Sequence, residues 1–292
     1  MRFIFPILIL VFLFTQPCSA ASSNSSSQKK STSSNATTSS TKKSDPFPKA
    51  ASSYLIQVNG KTIWAHNPDR KLPIASITKI MTAIIVLEHC QLDDVVTISN
   101  SVTAETGTRL WLKPGEKLKV RDLLAAALIN SACDACVALA DHVAGSQSRF
   151  VEMMNTRASE LGLKNTHFQN AAGHDHAENY STANEITILA KTALKNQFFA
   201  EMVSTERKKI STINGKRTFQ LKNTNDMLGT FEGTKGVKTG FTSKAGKCLV
   251  SLASKKGIRV MLVLLNSPQR WQKADEMMKK AFSVNRVDVA SR

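Results

Sequence analysis

Pro73-Ile74-Ala75-Ser76-Ile77-Thr78-Lys79-Ile80-Met81-Thr82-Ala83 is the stretch on which the fold and chemistry of this chain turn. The apolar run 77–87 reads as a buried helix entered through Leu72-Pro73-Ile74-Ala75. Residues three apart share a helix face, so the Lys79 amine falls beside the Ser76 hydroxyl. A serine hydroxyl is a poor nucleophile at neutral pH and needs a neighbouring base. Lysine serves as that base only when burial or another cation disfavours its ammonium, because its unperturbed pKa is about 10.4. Starting the helix at the serine also points free backbone N–H groups at the place where an oxyanion forms. A serine at a helix start is equally an ordinary N-cap, and Ser-x-x-Lys recurs by chance, so the pair needs support from elsewhere.

Two other words supply it. Gly236-Val237-Lys238-Thr239-Gly240-Phe241-Thr242 alternates small, apolar and polar residues, as an edge strand lining a cleft does. Gly240 allows another backbone to approach closely. Lys238 and Thr239 suit a substrate carboxylate, Lys238 is a candidate second cation beside Lys79, and the Phe241 N–H is placed to complete an oxyanion hole with that of Ser76. Ser131-Ala132-Cys133 forms a polar interruption between two helical runs, 120–129 and 136–140, which presents Ser131 to a cleft. The plain alternatives are an exposed strand and a helix serine bonded to its preceding turn.

The ordered set Ser76-Ile77-Thr78-Lys79, Ser131-Ala132-Cys133 and Lys238-Thr239-Gly240 resembles the penicillin-recognising serine peptidases. Further words narrow the resemblance: Leu161-Gly162-Leu163, Asn165-Thr166-His167-Phe168, Tyr180-Ser181-Thr182-Ala183, and Ala245-Gly246 after Thr242. With residues 73–83 they resemble the low-molecular-mass D-alanyl-D-alanine carboxypeptidases over residues 50–282. The resemblance implies a penicillin-sensitive enzyme that trims terminal D-alanine from peptidoglycan stem peptides through an acyl-enzyme. It implies Ser76 as nucleophile, Lys79 as base and Ser131 as proton relay. Cys133, Lys238, Thr239, Gly240, Phe241, Thr242 and Arg270 are then substrate-binding, with Arg270 assisting at the terminal carboxylate. Peptidoglycan peptides are the expected partners, β-lactams the expected inhibitors, and no cofactor or metal is called for.

One position departs from that pattern. The middle word is normally Ser-x-Asn, and Cys133 stands where the asparagine would be. An amide accepts from the lysine and donates to a substrate carbonyl, whereas a thiol does both poorly. The expectation is a slower or retuned peptidase, with a D,D-endopeptidase or a penicillin-binding protein of low turnover as alternatives.

Rival chemistries are weaker. Cys133 and Cys136 form a lone Cys-x-x-Cys with no second pair to complete a zinc site, and within a regular helix their Cβ atoms are about 5–6 Å apart, too far for an unstrained disulfide. Cys90, Cys136 and Cys248 read as small core residues, with disulfide pairing left open. His174-Asp175-His176, with His167 nearby, lacks the helix-borne His-Glu-x-x-His of zinc peptidases and reads as a solvated loop. A serine β-lactamase needs a deacylating glutamate; Glu160 in Glu160-Leu161-Gly162-Leu163-Lys164 falls instead at the end of an amphipathic helix.

The chain ends indicate location. Arg2, the apolar stretch 3–14 and Cys18-Ser19-Ala20 read as a secretory signal peptide cleaved after Ala20, too short an apolar stretch to span a membrane. Residues 21–49 are Ser/Thr/Lys-rich and read as a flexible tether, with Asp45-Pro46-Phe47-Pro48 at its border. The expected peptidase domain is 50–285, followed by a tail 286–292 and no additional C-terminal β-domain. Of the formal net charge of +17, removing Arg2 and the five lysines and one aspartate of 21–49 leaves +12. Such a surface favours anionic cell-wall polymer or membrane, and export argues against nucleic acid.

Asn59-Gly60 and Asn214-Gly215 between alternating runs predict hairpins 54–58 with 61–66 and 207–213 with 217–221, and Lys256-Gly257 predicts a third joining 247–253 to 259–265. Thr182-x-x-Glu185 opens a helix as a capping box. After Gln269 a final helix carries the stripe Trp271, Ala274, Met278, Ala281 and Phe282, expected to pack on the sheet. The fold class is therefore α+β: an antiparallel sheet of about five strands flanked by helices, plus a mainly helical lobe. The resemblance implies that the N-terminal hairpin joins the C-terminal strands in one sheet, with the cleft between sheet and helical region.

Overall fold

Alternation along the C-terminal strands determines the architecture. In the computed structural model, which describes the backbone of residues 45–290 and side chains through residue 284, two apolar clusters lie on opposite faces of one sheet. The expected signal peptide and most of the expected tether, residues 1–44, lie outside the described residues.

Strands β1 (Ser53–Val58) and β2 (Lys61–His66) form the first hairpin. The long middle section holds β3 (Leu72–Pro73), a 3-10 turn Ala75–Thr78, α1 (Lys79–His89), β4 (Val95–Thr97), a second 3-10 turn Asn100–Ala104 and β5 (Lys117–Lys119). It continues with α2 (Val120–Ile129), α3 (Cys133–Ala144), α4 (Gln147–Glu160), β6 (Tyr180–Ser181), α5 (Ala183–Ala193) and α6 (Gln197–Ser204). A small hairpin β7 (Arg207–Ser211) and β8 (Thr218–Lys222) precedes β9 (Thr234–Thr242), β10 (Gly246–Lys255), β11 (Ile258–Leu265) and α7 (Arg270–Ala290).

The main sheet is antiparallel with the order β2-β1-β11-β10-β9, so the first hairpin does join the last three strands. Register runs from Ser53 opposite Leu265 to Val58 opposite Val260. Because strand side chains alternate, Tyr54, Ile56, Val58, Leu249, Val260, Leu262 and Leu264 fall on one face, while Leu55, Val250, Met261, Val263 and Leu265 fall on the other. The first face packs against Ala274, Met277, Met278 and Ala281 of α7, the second against the helical section. The expected stripe on α7 thus packs on the sheet; no described helix is long and apolar enough to cross a membrane. Each fully buried Leu or Ile here contributes about 1.5–3 kcal/mol.

Turn chemistry matches the sequence at both main-sheet hairpins. Asn59 and Gly60 have φ of 48° and 85°, Lys256 and Gly257 of 48° and 78°, the paired left-handed conformations of a tight hairpin. The Asn214-Gly215 hairpin forms as well, but as a separate two-stranded sheet.

Three local expectations are revised. Phe47 is only 5 % exposed and packs with Trp64, so the compact part reaches back past residue 50 into the expected tether. Ser76 lies in the 3-10 turn before α1 and is not the helix's first residue, which leaves Lys79 to open the helix. The capping box at α5 is half-made: Thr182 Oγ1 accepts from Glu185 N at 3.1 Å, whereas the Glu185 carboxylate accepts from Asn165 N and Thr166 Oγ1.

Two glycines seat the turn that carries Ser76. A Cβ on Gly240 would lie 2.8 Å from Ile74 O, and one on Gly173, whose φ is +85°, would lie 2.1 Å from Ala75 O. Gly173→Ala therefore combines a backbone clash with an unfavourable left-handed conformation, and chemical denaturation should show a loss of more than about 1 kcal/mol relative to the parent.

Candidate active site

Lys79, opening α1, is fully buried. Its Nζ lies 3.0 Å from Ser76 Oγ, 2.6 Å from Ala172 O and 3.4 Å from Cys133 Sγ. The three-residue spacing that puts Lys79 over Ser76 is realised through the 3-10 turn, in which positions i and i+3 eclipse. Ala172 belongs to the loop that Gly173 presses against the same turn, so one close backbone approach provides both the wall and the acceptor.

Ser131 occupies the break between α2 and α3 with a φ of 61°, a left-handed conformation that turns the chain sharply between two buried helices. Its Oγ receives a hydrogen bond of 2.9 Å from Lys238 Nζ, which also donates to Thr239 O at 3.1 Å. Burial, reinforced by the charge of Lys79, pulls the Lys238 amine down to about 7. The sequence cast Lys238 as the cation acting on Lys79; in the structure the effect runs from Lys79 to Lys238.

β9 is an edge strand, as expected, and brings the third word against the first. A Cβ on Gly240 would come within 3.2 Å of Ser76 N, so the glycine is what permits this closeness. Thr239 Oγ1 shares a 2.6 Å hydrogen bond with Thr224 Oγ1. Phe241, next along the strand, keeps its side chain 64 % exposed.

Two of the expected substrate contacts are committed to the protein itself. Thr242 Oγ1 donates to Asp175 and accepts from Ala245 N. Arg270 Nη1 donates to Gly240 O and Cys248 O, 3.0 Å each, while its guanidinium stacks on Trp271. It thereby ties β9 to β10 and holds Gly240 in place through the backbone. The glutamate needed by a β-lactamase reading is elsewhere: Glu160 ends α4 and pairs with Arg157, which also binds Glu88. Glu88 is about 13 Å along α1 from Lys79 by the helix rise.

A family model described as D-alanyl-D-alanine carboxypeptidase matches residues 39–269. The chain belongs to this family. It is 34% identical over 244 residues to the D-alanyl-D-alanine carboxypeptidase DacF of Bacillus subtilis, covering 80% of this chain and 62% of that protein. It therefore spans less than two thirds of that relative's length. Identity is 37% over 244 residues to a D-alanyl-D-alanine carboxypeptidase of a Streptomyces species, covering 77% and 84% respectively. A D-alanyl-D-alanine endopeptidase of Pseudomonas aeruginosa is 34% identical over 223 residues, covering 75% and 72%. The crystal structure of a Streptomyces DD-transpeptidase superposes with a TM-score of 0.77 at 35% identity, covering 82% of this chain and 99% of that one.

In this family member, several residues that shape the site escape motif reading. Asp134 accepts from the N–H groups of Leu110 and Leu112 at 3.1 Å each, and Cys133 N donates to Thr108 O at 2.7 Å, which ties the loop 105–112 over the start of α3. His174 does not stand free in solvent, because its Nε2 lies 2.7 Å from Glu105 Oε2. The acidic residue in the first turn of α3 was the one available clue to the former; nothing in the sequence pairs Glu105 with His174. Cys90, Cys133, Cys136 and Cys248 are free thiols, and burial pushes Cys136 up to about 12.

Lys238 makes stability depend on pH in a definite direction. Between about 7 and the ordinary lysine value, ~10.4, the unfolded chain keeps a proton that the folded chain has released. Folding stability therefore rises with pH across that window. Denaturation of the parent and of Lys238→Met from pH 7 to pH 10 should show the parent gaining relative to the variant; parallel curves would refute the assignment.

Proposed function

We propose that the chain is a serine D,D-carboxypeptidase that removes terminal D-alanine from peptidoglycan stem peptides and is acylated by β-lactams. The observation that carries this reading is a buried lysine amine 3.0 Å from Ser76 Oγ, with a second buried lysine 2.9 Å from Ser131 Oγ. Family membership supports peptidoglycan stem peptides as the substrate class.

In the first step Ser76 Oγ attacks the carbonyl of the penultimate D-alanine while Lys79 takes the hydroxyl proton. The oxyanion is met by the N–H groups of Ser76 and Phe241, an arrangement favoured by the closeness of β9 to the Ser76 turn. Collapse of the tetrahedral adduct breaks the C–N bond, and a proton relayed through Ser131, which is hydrogen-bonded to Lys238, goes to the departing D-alanine. Water then attacks the ester, and the proton it loses returns Ser76 to its hydroxyl form. Lys238 and Thr239 favour the terminal carboxylate electrostatically, while Gly240 permits the peptide to lie along the edge strand. Arg270 contributes by holding β9, and Thr242 by fastening the strand's end to Asp175.

Cys133 sets the expected rate. Its sulfur lies in the Lys79 environment where an amide would offer a stronger acceptor and a donor. A D,D-endopeptidase acting on cross-links through the same machinery is the second reading, supported by the Pseudomonas aeruginosa relative of that name. A penicillin-binding protein of low turnover is the third, resting on Cys133. Substrate and β-lactam chemistry together with residues 1–20 support action outside the cytoplasm after export, and the basic surface supports peripheral contact with anionic wall polymer or membrane.

Intact-protein mass spectrometry after penicillin exposure should show a covalent adduct on the parent and none on Ser76→Ala. Pentapeptide and cross-linked dimer offered as alternative substrates should give D-alanine release from the former; release of monomers alone would favour the endopeptidase. Cys133→Asn should change the acylation rate by about fivefold to a hundredfold, the equivalent of roughly 1–3 kcal/mol for one buried hydrogen-bond pair.

A further inference from the structure

Cys133 is one corner of a group of three ligand-bearing side chains. Its sulfur, an imidazole nitrogen of His174 and a carboxylate oxygen of Glu105 all lie within 4.8 Å of one another. They come from three segments: the start of α3, the loop after residue 170, and the residue following the Asn100–Ala104 turn. Each segment is fixed by other bonds. Asn170 Oδ1 accepts from Gly173 N and His174 N at 2.6 and 2.9 Å, Asn170 Nδ2 donates to His174 O, and Asp134 and Cys133 hold the loop 105–112. Gly107 closes over the group: a Cβ there would lie 3.6 Å from Cys133 Sγ and 4.0 Å from His174 Cε1.

We propose that Cys133, His174 and Glu105 form an inhibitory zinc site at the mouth of the catalytic cleft. Sulfur, imidazole and carboxylate suit zinc in preference to magnesium or calcium, which take oxygen ligands. Zinc bonds of about 2.0–2.3 Å in tetrahedral geometry put ligand atoms about 3.3–3.8 Å apart. The 2.7 Å approach of His174 Nε2 to Glu105 Oε2 must then widen by less than about 1 Å, and the sulfur lies within reach. His174 keeps 35% side-chain exposure, which leaves an entry path. Binding balances by protons: the metal replaces the Cys133 thiol proton, and the imidazole offers its Nε2 lone pair with its remaining proton on Nδ1. The released thiol proton goes to solvent. Three protein ligands leave the fourth position to water.

Such an ion sits against the groups that Ser76 depends on. Cys133 Sγ is 3.4 Å from Lys79 Nζ, and Lys79 Nζ is 3.0 Å from Ser76 Oγ. A doubly charged ion on the sulfur removes that contact of the amine and occupies the space that a substrate amide must cross. This consequence rests on the serine peptidase reading, whereas zinc binding does not. The site is regulatory and distinct from the zinc peptidase chemistry that the sequence argued against.

A second cluster of metal-binding type, Cys90, Asp94 and His142, lies beyond the C-terminal end of α1 and provides the internal comparison. The full chain, with thiols kept reduced, is titrated with zinc against a chromophoric chelator and, separately, with cobalt. Expected results are one tight site with Kd micromolar or below, and a thiolate-to-cobalt charge-transfer band in the near ultraviolet. His174→Ala and Glu105→Gln should weaken zinc binding at least about tenfold, the loss ordinarily seen even for an outer-sphere partner, while His142→Ala should not. Zinc should slow fluorescent penicillin labelling of the parent at least tenfold, reversed by chelator, and leave labelling of His174→Ala unaffected. Absence of tight binding, absence of the charge-transfer band, or loss of the site in His142→Ala with retention in His174→Ala overturns the proposal. Should His174→Ala fail to fold, Glu105→Gln and the cobalt spectrum of the parent decide it alone. Failure of the parent to label in metal-free buffer would instead sink the peptidase reading and leave the binding result standing.

Discussion

Everything at this site depends on keeping the Lys79 side chain out of water while leaving it something to bond. Burying an amine is costly unless its hydrogen-bonding capacity is met. Here Ser76 Oγ, Ala172 O and Cys133 Sγ meet it from three different segments. The requirement explains features that look unrelated in sequence. Ala172 reaches the amine because Gly173 lets its loop press on the Ser76 turn, and β9 closes the other side because Gly240 has no side chain to obstruct it.

The second buried lysine extends the same logic to charge. Lys238 is as inaccessible as Lys79, and its amine is pulled down to about 7 by burial first and the neighbouring charge second. Two ammonium groups in one dry cleft repel strongly, so the charge of Lys79 adds to burial in lowering the Lys238 amine. A serine beside each nitrogen then gives every proton in the proposed acyl transfer a short path. The arrangement is expensive in folding energy, and the two-faced sheet with its apolar layers offsets it.

Cys133 gives this cleft its individual character. A thiol satisfies Lys79 less well than an amide would, yet it introduces a soft ligand next to His174 and Glu105. The substitution that weakens the hydrogen-bond network is thus the one that opens the site to a thiophilic ion. Rate and sensitivity to metal become two consequences of a single side chain.

Reading the chain residue by residue was enough for the hairpins at Asn59-Gly60 and Lys256-Gly257, the helix stripe of α7, and the serine–lysine spacing, because each is a local pattern set by backbone conformation or periodicity. The three words and their family resemblance also point to one site from the sequence alone. Packing across distant segments was beyond that reading. It determined that Phe47 belongs to the compact domain, that Thr242 and Arg270 bond to Asp175 and to strand carbonyls, and that His174 meets Glu105 beside Cys133. The physical reason is range: turn and helix preferences act over a few residues, whereas a hydrogen bond between positions 69 apart exists only once the whole core has brought their loops together.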